Sequence, residues 1–224
     1  LPVFARILYQ EIIERFHYDD IKEKLVEHLK QTGTPERLVI AFLRRLSARF
    51  SEAVVKESLA LIHCAQYGLT LEDLRALVRD PRVDELTYML NLEFRVDNLA
   101  RMTFYHRYFI DAICNQFCLN EAFVRQCRLK IFDLFAAKKP NGASVLEAAH
   151  QLFSLGDRHR MFSYLADFKT ASILFAGSPY QDAEGDADPY RVLQITSIFP
   201  DRTPLLNQWR KQKIGKENLL WLAV

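Results

Sequence analysis

Apolar residues along this chain recur mostly at three- and four-residue intervals, the repeat that lines one face of an α-helix. Pro2 suits a first helical turn, and Phe4, Ile7, Leu8, Ile12 and Phe16 follow at that spacing. Ile21, Leu25 and Leu29, closed by Gly33, mark a second helix. Thr34-Pro35-Glu36 is a helix start, with a capping hydroxyl, a proline for the first position and an acid for the positive end of the dipole. It predicts a helix over 35–50 that buries Leu38, Val39, Phe42, Leu43, Leu46 and Phe50. Ser51 opens the next helix, with Val54, Val55, Leu59 and Ile62 inward and an end near Gly68. Thr70 to Asp73 resembles a capping box, with Asp in the place usually held by Glu or Gln, and predicts a short helix over 71–78. Asp80-Pro81 stops it, and another short helix covers 83–91.

The period then falls to two. Residues 94–96 and 99–104 flank Asp97-Asn98, a pair that tolerates the positive φ of a tight turn, so one β-hairpin is expected. From Tyr105 the helical spacing returns through Tyr108, Phe109, Ala112, Ile113, Gln116 and Phe117. Asn120 caps a helix to about 137, with Phe123, Val124, Cys127, Ile131, Leu134 and Phe135 inward. Beyond a loop at 138–142, helices over 143–155 and 158–175 meet at Gly156-Asp157, their apolar sets including Val145, Leu146, Ala149, Leu152, Met161 and Leu165. The pair is like the first unit of a TPR-like helical-repeat array.

The expected fold is therefore mainly α. A helical segment (1–33) precedes a three-helix-plus-hairpin module (34–119) with helices over 35–50, 51–66 and 71–79 and a wing over 94–104. A helical, superhelical start (120–176), an acidic linker (177–189) rich in Asp, Gly and Pro, and a helical segment (190–224) follow. The basic residues Arg210, Lys211, Lys213 and Lys216 read as a solvated helix face.

Composition narrows the function. Lys and Arg number 30 against 28 Asp and Glu, a balance that excludes an acidic disordered tail or a basic nucleic-acid-binding arm. The longest apolar runs are short, so no membrane span is expected. Four cysteines, at 64, 114, 118 and 127, match no disulfide framework and read as reduced thiols of an intracellular, most simply cytoplasmic, protein. The chain begins at Leu1 and stops inside the run Trp221-Leu222-Ala223-Val224, so it is read as a piece of a larger protein.

Three helices followed by a hairpin is the order of a winged helix. The third helix, taken as 71–79, opens on Glu72 and Asp73, which would repel phosphates where a DNA reader needs bases, so nucleic acid is not the expected partner. Catalytic signals are absent too. The lone Gly215-Lys216 is followed by Glu217 and lacks the earlier glycine of G-x-x-x-x-G-K-S/T, so no phosphate cradle exists. No G-x-S-x-G or H-E-x-x-H occurs. Cys114, Cys118, Cys127 and His106 are close in sequence, but zinc thiolates usually come in short loop-borne pairs, and no metal site is expected.

In order and spacing the motifs resemble the region after the ATPase core of a STAND-class NTPase, most closely NACHT proteins of the nephrocystin-3 and telomerase-associated type. Leu1-Pro2-Val3-Phe4 is similar to the family's "G-L-P-L" segment. Arg44-Arg45-Leu46, then Tyr67-Gly68-Leu69-Thr70-Leu71-Glu72-Asp73-Leu74, resembles "L-x-R-L … G-L-S-E-x-E-L". Thr103-Phe104-Tyr105-His106-Arg107-Tyr108-Phe109 resembles "x-F-x-H-x-x-L/F", with Tyr105 where Phe is commoner. The helices over 143–175 are similar to the family's next layer, with Leu155-Gly156-Asp157 at the turn, and the likeness covers about residues 1–176.

The resemblance implies a regulatory arm that is not itself an enzyme. It implies ATP or ADP, with Mg, held by an upstream NACHT core, and downstream repeats, partner proteins and self-assembly as the things controlled. Carried over, Pro2 would pack on the adenine and His106 would contact the phosphates. Without it, Pro2 is a helix-start proline and His106 a structural histidine, and the alternative reading is a helical interaction scaffold without nucleotide sensing. Arg107 is expected in a surface or interdomain ion pair.

Overall fold

The computed structural model describes residues 33–175, together with single positions at 26, 30, 204, 207, 208 and 211. Those positions apart, the helices expected before 33, the acidic linker at 177–189 and the segment 190–224 lie outside the described residues.

Nine α-helices and one two-stranded hairpin make up the described residues. They divide into two compact units, one of 33–64 with 68–127 and the other of 65–67 with 128–175.

The first unit opens with α1 (Pro35–Phe50), capped by the Thr34 hydroxyl accepting from the Arg37 N–H. Its six expected stripe residues are all buried. In α2 (Glu52–Cys64), Val54, Val55, Leu59 and Ile62 are joined in the interior by Ser58, Ala60, Leu61 and Cys64. A helix apolar on so many sides belongs at the centre of its layer. The capping box of α3 (Leu71–Val78) forms: Thr70 Oγ1 accepts from the Asp73 N–H at 3.1 Å, and the Asp73 carboxylate accepts from the Thr70 N–H at 3.3 Å. A fourth helix, α4 (Arg82–Met89), and a 3₁₀ turn at Asn91–Glu93 lead into the hairpin.

The hairpin is shorter than its sequence pattern. Strands β1 (Phe94–Val96) and β2 (Met102–Phe104) pair antiparallel, Phe94 opposite Phe104. No two-residue turn forms at Asp97-Asn98. Instead Asp97 and Arg101 close a three-residue loop, the Asp97 N–H donating to the Arg101 carbonyl at 3.1 Å. The Asp97 carboxylate accepts from the N–H groups of Leu99 and Arg101, each at 2.9 Å, and Ala100 takes a φ of 58°. This side-chain mimicry of a turn competes with the ladder, and it leaves Leu99 in the loop, exposed. Leu69 and Met102 exchange backbone hydrogen bonds of 3.3 and 2.8 Å, adding an isolated antiparallel partner to β2.

Helix α5 (Arg107–Phe117) follows at once and buries Phe109, Ala112, Ile113 and Phe117. Tyr105 and Tyr108, expected on its apolar stripe, are exposed, because the helix starts only at Arg107 and Phe109 is the first inward residue. An aromatic chain fixes this junction: Phe94 to Phe104 at 5.5 Å, Phe104 to Phe109 at 5.4 Å and Phe109 to Phe42 at 6.3 Å between ring centroids.

Helix α6 (Glu121–Ala137) begins within the first unit and ends within the second. In the second, α7 (Gly142–Leu155) is capped by Asn141 and Ser144, and Gly156 ends it with a φ of 64°. The expected helix over 158–175 is two helices, α8 (Arg158–Leu165) and α9 (Phe168–Phe175). Asp167 makes the break: its carboxylate accepts from the Thr170 N–H at 2.9 Å and its carbonyl from the Ala171 N–H at 3.0 Å, which are N-cap bonds. Val145, Ala149, Leu152, Met161, Leu165 and Leu174 form the core of this unit.

One carboxylate stands inside that unit. Glu147, only 1% exposed, accepts from the backbone N–H of Gln66 at 3.1 Å and of Tyr67 at 2.9 Å, and from Gln151 Nε2 at 2.6 Å. Gln151 in turn accepts from Arg128 Nη1 at 3.1 Å.

Candidate functional site

His106 occupies the N-cap of α5, where β2 hands over to the helix. Its φ and ψ of −117° and 132° are extended, and its carbonyl accepts from the N–H groups of Phe109 and Ile110. The cap is thus made by the backbone, and the imidazole is not committed to it. The ring is half-buried and meets Tyr105 edge-on, 4.4 Å between centroids. Phe104 before it and Phe109 after it are both in the aromatic chain, so the short segment between them is held from both sides. Tyr105 and Tyr108 lie exposed beside the imidazole. Arg107, 91% exposed, forms its expected ion pair, with Asp111 at 3.5 Å one turn along. Pro2 lies outside the described residues, so only one of the two predicted site residues is placed.

A second titratable pair was not legible in the sequence. Cys114 Sγ of α5 lies 3.3 Å from His63 Nε2 of α2. The residues are 51 positions apart, and only the packing of α2 on α5 joins them. A cysteine nucleophile needs a lowered pKa. Here burial of the thiol, and then the Asp111 carboxylate, raise it. At neutral pH the group is a thiol, able to donate to the imidazole. Among the described residues no group of three or more His, Cys, Asp or Glu is placed to hold a metal ion.

The basic side chains on and beside α3 and α4 are engaged. Arg75 makes two hydrogen bonds to Asp84, at 2.6 and 2.8 Å. Arg82 binds Asp80 at 2.9 and 2.7 Å, and Arg49 of α1 binds Glu85 at 2.5 Å. The hydrogen bond from Arg82 holds the Asp80 carboxyl down at about 2, and that from Arg75 lowers Asp84. The arginines are exposed, and each pair sets a carboxylate where an incoming phosphate would meet the guanidinium.

Among the described residues no helix is long and apolar enough to cross a membrane. No family model, no curated protein and no solved structure matches the chain.

Proposed function

We propose that this chain is the regulatory arm of a STAND-type NACHT ATPase, sensing ATP or ADP on an upstream core and relaying that state to downstream repeats and assembly. The observation that carries the reading is the position of His106. It is a half-buried imidazole at the strand-to-helix junction, between two exposed tyrosines. A ring N–H there can donate to a phosphate oxygen of a nucleotide presented by a neighbouring module. A contact made only in the closed form biases a two-state equilibrium toward it. A hydrogen bond to a charged group contributes about 1.5–3 kcal/mol, enough to change the closed-to-open ratio by about tenfold to a hundredfold. Nucleotide binding by a polypeptide that includes the upstream core, with His106 or with Ala, tests it.

The order of helices and hairpin supports a winged-helix reading of α1, α2, α3 and the hairpin, with the expected short helix α4 between α3 and β1. The acids of α3's first turn, Glu72 and Asp73, count against DNA, and the first turn of α4 adds Asp84 and Glu85, while Arg75 and Arg49 face carboxylates.

A second reading is a helical interaction scaffold without nucleotide sensing. Val96 and Leu99 of the hairpin and Tyr88, Tyr105 and Tyr108 are exposed apolar side chains, and tyrosines are frequent anchors in protein interfaces. Unchanged nucleotide affinity in the His106→Ala protein favours this reading.

A further inference from the structure

Within the first unit, the backbone of the hairpin has one bonded edge and one open edge. The Tyr105 N–H donates to the Glu93 carbonyl and the Asp97 N–H to the Arg101 carbonyl, each at 3.1 Å. Bonding alternates along an antiparallel ladder, so Arg95 also turns its backbone toward β2, whereas Phe94 and Val96 turn theirs away. On β2 the same alternation turns Met102 outward, and its backbone is the one that Leu69 takes. The outer edge of β1 has no such partner among the described residues. Residues paired across strands share a face, so Leu69, Met102 and Val96 form one apolar row. Exposure along it rises from 0% through 5% to 55%, so the row is covered as far as β2 and ends open at β1. Arg95, on the other face opposite Thr103, is exposed and forms no ion pair among the described residues.

We propose that the outer edge of β1 docks an extended peptide as an added antiparallel strand, one that carries an acidic residue between two apolar residues. The N–H and carbonyl groups of Phe94 and Val96 supply the main-chain bonds. An apolar residue set opposite Val96 continues the row from Leu69 and Met102 and covers its open end. The neighbouring residue then falls opposite Arg95 on the other face, where a carboxylate meets the guanidinium. Edges that must stay single are guarded by proline, lysine or a bulge. The run Phe94-Arg95-Val96 has neither residue, and its register with β2 is unbroken. A second copy of this chain is a poorer occupant. Antiparallel pairing about Arg95 sets two arginines opposite each other, and pairing about Val96 sets Arg95 against an Asp97 that already holds Arg101. A three-residue edge also falls far short of the roughly 1,000 Å² a lasting dimer buries. A few main-chain bonds suit weak, transient capture of a peptide. The site requires no nucleotide and is independent of the role of His106.

Amide hydrogen exchange on the whole chain, read residue by residue, tests the edge with the peptide acetyl-Thr-Val-Glu-Val-Thr-amide at millimolar concentration. Strand addition is expected to slow the Phe94 and Val96 amides by about twofold or more and to leave the Arg95 amide, which faces β2, unchanged. The same peptide with Lys in place of Glu is expected to bind about threefold or more weakly, and Arg95→Glu, at an exposed position, to reverse that order. No slowing at residues 94 and 96, slowing that runs evenly through Arg95, or equal binding of the two peptides overturns the site. Slowing of the Phe94 and Val96 amides by raised protein concentration alone, the mark of a second copy on the edge, overturns it as well.

Discussion

Gly68 stands against Met102 with no room for a side chain: a Cβ at residue 68 would lie 2.7 Å from the Met102 carbonyl oxygen and 2.9 Å from the Thr103 methyl. The φ of 80° adds backbone strain for any other residue. The obstacle is backbone, which cannot rotate aside. Gly68→Ala is therefore expected to lose about 2–3 kcal/mol of stability, seen as a lower denaturant midpoint. Ala at Gly156, where nothing lies within 4 Å, carries only the cost of its positive φ and is the milder control.

Phe109 is fully buried and touches both the hairpin, through Phe104, and α1, through Phe42. Phe109→Ala is expected to cost about 3–5 kcal/mol, the range for truncating a core phenylalanine. Tyr108→Ala, one residue earlier and exposed, is expected to stay within about 0.5 kcal/mol in a thermal melt.

Two carboxylates, Asp80 half-buried and Asp84 exposed, set an acid limb of stability. The pKa values of Asp80 and Asp84 are lowered in the fold, by hydrogen bonds from Arg82 and Arg75, below the ordinary aspartate value of 3.8. A depressed folded pKa contributes stability above the unfolded value and loses it as pH falls through the folded one. The melting temperature should drop between about pH 4 and pH 2, and Asp80→Asn should shrink the drop. Because the arginines are exposed, added salt should shrink it too.

Cys114 should be a slow nucleophile despite its histidine neighbour. Burial and Asp111 raise its pKa, so its alkylation by iodoacetamide should lag behind that of a free thiol at pH 7.5 and keep rising beyond pH 9. Asp111→Asn removes the negative charge and should speed the reaction, measured by peptide mapping.

Most helix boundaries were legible because they depend on neighbours in sequence. Thr34 with Pro35, and Thr70 with Asp73, announce starts that the hydrogen bonds reproduce. The failures share a cause. Asp97 and Asp167 each use a carboxylate on nearby backbone, the first replacing a tight turn and the second cutting one expected helix in two. Short polar side chains carry no periodicity, so pattern reading passes over them. The hydrogen bond from Tyr67 to Glu147 and the His63–Cys114 contact join residues 80 and 51 positions apart, a separation no local pattern spans. The cap position and half-burial of His106 depend on where β2 ends, which the sequence pattern did not fix.

The sensing role of His106 is tested most directly by titrating ADP and ATP into a polypeptide that carries the upstream core together with this chain, comparing His106 with Ala. A phosphate contact made only in the closed state predicts that the substitution weakens ADP by about tenfold to a hundredfold and leaves ATP less affected. Equal affinities for both nucleotides in the two proteins, with the fold intact by circular dichroism, would contradict it.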